Sequence, residues 1–288
     1  MPKPPKSVSG PAVLLVDNGS LEPASTLSLR TLADRLTDAS GHAVKPVSLL
    51  HSSTVDPSLL NGQPAEILEP CLRQFAESGQ KDVVIVPLFF GPSAALTDYL
   101  PERVHYLQKT WPDLRIRLAP CLVNTAQPQD NRITKILVER IRESAARAHF
   151  THPAVAVVDH GTPQRAVNAV RELVVAQTKV LLGKFARVVT ACSMERRPGP
   201  EHDFNEPLLE SLLETKDLSS GEIVVAQLFL QPGRHAGPGG DIAQICHAAA
   251  TRHPEVKIAI MAPLGSHADL IPILAERLEQ GLCSVEIK

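Results

Sequence analysis

A pattern of alternating apolar strands and amphipathic helices runs through the chain and occurs twice. Short runs rich in valine, isoleucine and leucine predict buried strands at 11–16, 43–50, 82–90, 114–119, 153–158, 186–192, 222–230 and 256–261. Apolar residues at helical spacing predict helices at 26–39, 65–77, 96–109, 129–149, 165–182, 207–214, 240–252 and 268–280. Strands that alternate with helices form right-handed βαβ units, so we predict an α/β fold with one parallel four-stranded sheet in each half.

The two halves are also related in their residues. Val158-Asp159-His160-Gly161-Thr162 repeats Val16-Asp17-Asn18-Gly19-Ser20, and Leu228-Phe229 repeats Leu88-Phe89 at nearly the same spacing. A series of matches in the same order indicates an internal duplication, with its boundary near 150–153. The predicted domains are therefore 1–150 and 151–288.

The duplication shows where the halves differ. His160 stands where the first half has Asn18, and His235 stands where it has Ala95. Both histidines follow predicted strands, and ligands in open α/β sheets bind outside the carboxyl ends of strands. We therefore expect the histidines to converge on one metal ion or one proton. The alternative is a solvated histidine in each of two tight strand-to-helix turns.

Charged residues follow the neighbouring strands. Glu195 lies just after the strand 186–192, and a carboxylate beside neutral imidazoles suits first-row divalent metals. A solvated loop carboxylate is the alternative for Glu195. Asp241 is predicted to cap the helix that begins near Ile242. The glycines of 237–240 suit a phosphate at a helix N-terminus, although no P-loop lysine accompanies them.

Three arginines lie beside these positions in the sequence: Arg196, Arg197 and Arg234. Arginine pairs bidentately with carboxylates, so an acidic ligand is one interpretation, and three solvated loop charges are the other. Cys192 falls within a predicted strand, which favours a core residue over a nucleophile.

Composition excludes several classes of function. A formal net charge of −2 and 3% aromatic residues argue against nucleic-acid binding. No apolar run approaches the ~20 residues that span a bilayer. The start of the chain, 1–6, is predicted to be a short flexible arm without a signal-peptide core. The five cysteines are scattered, which indicates reduced thiols and predicts a cytoplasmic protein.

The two histidine motifs, with Asp241-Ile242 after the second, resemble the class II chelatases, the sirohydrochlorin cobalt and iron chelatases of cobalamin and siroheme synthesis. The resemblance covers nearly the whole chain, as a two-half long form. It implies two flavodoxin-like lobes that face each other across a tetrapyrrole cleft. It also implies that His160 and His235 hold the incoming metal ion and help to remove the pyrrole protons. Met194-Glu195 resembles the segment that supplies the family's acidic residue, so Glu195 is the implied third ligand.

The resemblance sets further expectations. The substrates are a divalent metal (Co²⁺, Fe²⁺ or Ni²⁺) and an acidic tetrapyrrole, with no permanently bound cofactor. The residues expected to contact the tetrapyrrole are Arg234, Arg196, Arg197 and Asn18. The protein is expected to be a monomer or homodimer. Two alternatives remain. One is a non-catalytic tetrapyrrole or metal carrier on the same scaffold, and the other is an unrelated periplasmic-type or sugar-binding two-lobe protein. The loop between His235 and Asp241 is longer than the family's usual form.

Overall fold

The computed structural model describes residues 10–287, and the predicted flexible arm lies outside them. Every predicted strand is present among the described residues, with ends shifted by a few positions. The strands are β1 (Ala12–Asp17), β2 (Val44–Ser48), β3 (Asp82–Pro87), β4 (Arg115–Leu118), β5 (Ala154–Asp159), β6 (Val188–Ser193), β7 (Gly221–Gln227) and β8 (Val256–Ile260).

The predicted helices are present as well. They are α1 (Pro23–Ser40), α2 (Leu68–Ser78), α3 (Leu100–Gln108), α4 (Arg132–Arg147), α5 (Arg165–Leu182), α6 (Leu209–Leu213), α7 (Asp241–Arg252) and α8 (Leu270–Leu282). The helix predicted at 96–109 begins with a π-helical turn, Ala95–Tyr99, before α3. No helix in the described part of the chain is long and apolar enough to cross a membrane.

The strands form two separate parallel sheets. The strand order is β2-β1-β3-β4 in the first sheet and β6-β5-β7-β8 in the second. All strand pairs are parallel, which confirms the predicted fold class. Both sheets have the same strand order, as expected if the two halves arose by duplication.

The inner strands explain the apolar runs in the sequence. All six residues of β5 are buried, because helices cover both faces of a parallel sheet. The strand β5 lies between β6 and β7, so the carboxyl ends of these three strands meet at one edge. His160 follows β5, Glu195 follows β6 and His235 lies in the segment after β7. The strand order therefore brings three separated parts of the sequence side by side.

The compact units are not the two sequence halves, 1–150 and 151–288. The first unit contains the chain up to Leu122 and again from Ile271, and the second contains Val123–Leu270. The reason is that the last helix of each half packs in the other unit. Helix α4 contacts β7 and β8 of the second sheet. Helix α8 joins the first unit, where Arg277 donates hydrogen bonds to the carbonyls of Cys121 and Leu122.

Candidate active site

The backbone after β5 sets the position of His160. Gly161 has a φ of 93°, and a Cβ at this position would lie 1.9 Å from the Glu195 carbonyl oxygen. Only glycine fits, because the backbones of the two loops approach so closely. The Glu195 N–H donates to the His160 carbonyl at 3.1 Å, which completes the junction. The local sequence His160-Gly161 therefore fixes the histidine beside the glutamate.

The His160 side chain has partners at both ring nitrogens. Its Nδ1 lies 3.1 Å from the Gly161 carbonyl oxygen, and its Nε2 lies 3.4 Å from Glu195 Oε1. A carbonyl can only accept, so this hydrogen bond requires Nδ1–H and leaves a lone pair on Nε2 of the neutral ring. The Nε2 lone pair then faces a carboxylate, which also only accepts. A proton or a metal cation between the two atoms makes that contact favourable.

His235 is oriented by a carboxylate. Its Nδ1 lies 2.6 Å from Asp241 Oδ2, and its ring meets the His160 ring edge-on with centroids 4.8 Å apart. A carboxylate on Nδ1 holds the imidazole in the tautomer that presents Nε2, as in carboxylate–histidine–metal arrangements. His160, Glu195 and His235 thus lie together, and we call these three residues the candidate site. Their side chains are 46%, 61% and 29% exposed, so all three are open to solvent.

The expectation that Asp241 caps α7 is wrong, and the backbone at the start of α7 is already hydrogen-bonded. Asp241 is not a cap, because Gly240 is the N-cap residue, α7 has no side-chain capping bond, and the Asp241 carboxylate contacts His235 instead. The backbone N–H groups of Asp241 and Ile242 donate to the carbonyls of Arg234 and His235, both at 3.2 Å. These two donors are therefore occupied by the loop itself and do not face a phosphate. The loop folds back on the helix start and holds His235 in place.

The arginines differ in their contacts. Arg196 binds Glu206 through Nε at 2.6 Å and Asp203 through Nη1 at 3.2 Å, so its charge is used within its own loop. Arg197 is exposed at the surface. Arg234 has a 79% exposed side chain, with Nε 3.9 Å from Asp241, and extends from the loop that carries His235. Asn18 is exposed at the end of β1 in the first unit.

A different set of residues forms the tightest group of potential metal ligands. Among residues 10–287, Glu139, His267 and Asp269 are the group of three whose donor atoms all lie within 4.8 Å. His267 Nδ1 accepts the Asp269 N–H at 3.2 Å, and its Nε2 faces Glu139 at 3.1 Å. A neutral ring that accepts at Nδ1 carries its proton at Nε2, so both nitrogens are used within the protein. The donors of the candidate site are more widely spaced than those of this group.

A buried polar network lies below His160. Asp159 is 9% exposed and accepts hydrogen bonds at Oδ1 from Ser193 Oγ at 2.7 Å and from the Gly161 N–H at 3.1 Å. Arg171, on α5, reaches the same oxygen at 3.4 Å. Burial raises the pKa of Asp159, and the Arg171 charge and the Ser193 hydroxyl oppose that rise. The sequence signal for this network is an arginine at a core-facing helix position beside Val170 and Val174.

Cys192 is fully buried, and desolvation raises the pKa of its thiol, so it is a core residue as predicted.

The sequence comparisons agree with the duplicated fold. A sequence profile of the CbiX family matches residues 12–144 and, a second time, residues 154–281. The chain belongs to the CbiX family. The double match is the sequence counterpart of the two sheets. No curated protein was matched by sequence.

Three solved structures share the fold of this CbiX-family chain over nearly their whole lengths. The sirohydrochlorin chelatase SirB from Bacillus subtilis subspecies spizizenii, in complex with cobalt, is 13% identical, with 96% of this chain and 99% of that chain covered and a TM-score of 0.68. SirB from Bacillus subtilis with Fe³⁺ is 15% identical, with coverages of 94% and 95% and a TM-score of 0.67. A CbiX described as the terminal enzyme of siroheme biosynthesis in denitrifying bacteria is 16% identical, with coverages of 93% and 98% and a TM-score of 0.61.

Proposed function

We propose that this protein is a metal chelatase that inserts a divalent ion, Co²⁺ or Fe²⁺, into a sirohydrochlorin-like tetrapyrrole. The observation that carries the proposal is the pair of edge-on imidazoles, each with Nδ1 hydrogen-bonded to an acceptor and Nε2 left for an ion. Membership of the CbiX family supports it, as does a fold shared with SirB, whose structures contain cobalt and Fe³⁺. We also propose cobalamin or siroheme synthesis as the pathway and the cytoplasm as the location.

The reaction exchanges two pyrrole N–H protons for one divalent cation, so the ring keeps its net charge. His160 and His235 receive the ion at their Nε2 atoms, and Glu195 supplies an anionic oxygen beside it. When the ion moves into the ring, these atoms become vacant bases and accept the leaving protons. Asp241 stabilises a protonated His235 because its carboxylate is already hydrogen-bonded to Nδ1.

The surroundings of the site favour an acidic tetrapyrrole. Arg234 has a largely exposed side chain beside the histidines, and it matches the carboxylates at the periphery of such a ring. Arg196 is tied to Glu206 and Asp203, so we propose that it shapes the loop after Glu195 rather than binding substrate. Arg197 and Asn18 remain proposed substrate contacts.

A time course of metal insertion tests this function against the carrier alternative. Purified protein is mixed with a large excess of sirohydrochlorin and of Co²⁺ or Fe²⁺, and the change in absorption of the ring is followed. A chelatase forms many equivalents of metallated product per protein. Product that stops at one equivalent identifies a carrier, and product formed no faster than without protein contradicts both functions.

A further inference from the structure

Arg171 is a buried charged residue in the structure, with a side chain 1% exposed. It lies on α5, and its guanidinium reaches Ser193 Oγ, Asp159 Oδ1 at 3.4 Å and the carbonyls of Phe204 at 3.0 Å and Asn205 at 3.5 Å. Glu172, whose side chain is exposed, accepts a hydrogen bond from Arg171 Nη2 at 2.9 Å. One side chain thus joins the ends of two strands to a distant loop.

The strand ends that Arg171 joins are those that carry the candidate site. Asp159 and Ser193 are the last residues of β5 and β6 and are register partners in the sheet. His160 follows Asp159 directly, and Glu195 comes two residues after Ser193. The Met194 N–H donates to the Asp159 carbonyl at 2.8 Å, so the ladder continues past the strands up to the site.

The loop on the other side of Arg171 holds the chain after His160. The Asn205 side chain is 0% exposed and binds both backbone groups of Thr162, accepting its N–H at 2.9 Å and donating to its carbonyl at 2.8 Å. Arg171 also binds the carbonyl of Asn205. The guanidinium therefore restrains the backbone on both sides of His160, through Asp159 before it and through Asn205 and Thr162 after it.

The first half of the chain shows that this fold does not need the arginine. Leu29 takes the place of Arg171 in the repeat, and it is buried in α1. The strand ends of that half keep the same backbone bonds, since Leu49 N–H donates to the Asp17 carbonyl and Leu50 N–H to the Asn18 carbonyl. Leu50 and Asn18 stand there in place of Glu195 and His160. The arginine is therefore present in the half that carries His160 and Glu195, although both halves have the same fold.

We infer that Arg171 is a positioning residue that fixes His160 and Glu195 at the separation needed to receive and release the metal ion. It touches neither substrate, and it acts through Asp159, Ser193 and Asn205. Residues that orient metal ligands from behind typically contribute about 10–100-fold to metal affinity or activity. This inference rests on the proposed function, and its test includes a readout that does not require a tetrapyrrole.

The test replaces Arg171 by the residue of the other half, Arg171→Leu, with Leu29→Ala as the matched control at the equivalent position. Co²⁺ is titrated into each protein without tetrapyrrole and followed by its visible absorption, and insertion kinetics give kcat and KM separately. We expect Arg171→Leu to weaken Co²⁺ binding by about 10–100-fold and to lower kcat, with KM for the tetrapyrrole little changed. Leu29→Ala should lower the melting temperature but leave the Co²⁺ titration at the wild-type value.

A double-mutant cycle separates positioning from general destabilisation. If Arg171 acts through His160, Arg171→Leu adds little to the loss of Co²⁺ affinity already caused by His160→Ala. The same fold-change in both backgrounds overturns the inference, as does a folded Arg171→Leu protein with wild-type Co²⁺ affinity and kcat. If Arg171→Leu does not fold, Ser193→Ala is judged by the same criteria. A wild-type protein that binds Co²⁺ but never metallates the ring refutes the proposed function alone.

Discussion

The ends of β1 and β5 carry equivalent aspartates in different surroundings. Asp159 shares a hydrogen-bonded network with Arg171 and Ser193. Asp17 is as deeply buried, but its Oδ1 has no hydrogen-bond partner among the described residues. Burial raises the pKa of Asp17 to about 6, and hydrogen bonds from Ser48 and the Gly19 N–H limit the rise. One half neutralises its buried carboxylate with an arginine, and the other half leaves it without one.

An arginine is present in the first half, one residue further along the helix. Arg30 donates to the carbonyls of Leu60, Gln63 and Pro64, the last two corresponding to the Phe204 and Asn205 carbonyls that Arg171 binds. A shift of one residue turns a side chain by about 100° around the helix axis. Arg30 therefore binds the loop from outside, and in the part of the chain that the structure describes Asp17 has no cationic partner comparable to Arg171. A pocket of about 280 Å³ lies in this region, lined by Thr26, Leu29, Arg30, Asp34, Pro46, Ser48, Gln63, Pro64, Ala65 and Glu66.

The two halves therefore share one scaffold and differ in the side chains at their strand ends. The equivalent backbone bonds are present in both halves, so the sheet edges are built alike. Within residues 10–287, the second half alone combines two imidazoles, a carboxylate and a buried arginine at that edge. The following experiments test whether activity and stability follow this division.

The largest effect is expected at the two histidines. His160→Ala and His235→Ala each remove an Nε2 ligand and a base, and we expect insertion rates to fall by about 10²–10⁴-fold. Asn18→Ala, at the position equivalent to His160, removes at most a substrate contact, so it should raise KM at most and leave the saturated rate near the wild-type value. Initial rates at saturating metal and tetrapyrrole measure this. A loss at Asn18 as large as that at His160 would show that both halves supply catalytic groups.

Removal of the carboxylate behind His235 should have a smaller effect. Asp241→Asn keeps the shape but loses the charge that orients the ring, and we expect a loss of about 10–100-fold in Co²⁺ affinity or insertion rate. Asp98→Asn is the control, because Asp98 lies in the corresponding segment of the first half and bonds only Thr97 among its described contacts. Equal behaviour of the two variants in a Co²⁺ titration would contradict the assigned role of Asp241.

The two buried aspartates should respond differently to neutralisation. A folded-state pKa raised to about 6 means that native Asp17 binds its proton more tightly than in the unfolded chain. Its contribution to stability is thus present at low pH and is lost as pH rises through about 6. We expect Asp17→Asn to gain stability relative to wild type between pH ~4 and ~7, by up to about 3 kcal/mol.

Burial raises the pKa of Asp159 as well, so Asp159→Asn also removes a buried negative charge, but it leaves the buried Arg171 without its aspartate. We therefore expect Asp159→Asn to be clearly less stable than Asp17→Asn at neutral pH. Urea unfolding of both variants between pH ~4 and ~8 measures the two free energies of unfolding against the wild type. The comparison of the halves is wrong if Asp159→Asn stabilises the protein at neutral pH as much as Asp17→Asn does.

The smallest effect is expected at the exposed arginine. Arg234→Ala copies Ala94, the matching residue of the first half, and removes one solvent-exposed charge worth up to about 1 kcal/mol. The KM for the tetrapyrrole should rise several-fold while kcat and Co²⁺ affinity stay unchanged. A fall in kcat with no change in KM would place Arg234 in the chemical step instead of in substrate binding.

The order and type of the strands and helices could be predicted from the sequence, because burial of one face gives each element a periodic spacing of apolar residues. It also placed His160, Glu195 and His235 at strand ends, and the duplication marked which half differs. The structure confirms the two parallel four-stranded sheets and brings these three residues together. It moves the limits of the compact units, since α4 and α8 each pack in the unit opposite to their sequence half.

Which distant groups meet depends on the packing of the whole fold. The order β6-β5-β7 put Glu195 on one side of His160 and His235 on the other, and strand neighbours depend on packing of the whole sheet. Asp241 had the sequence signature of a helix cap, yet a folded-back loop already satisfied the helix amides and left its carboxylate for His235. The Arg171 side chain likewise points to the buried carboxylate of Asp159, and the local sequence around Arg171 does not reveal this partner.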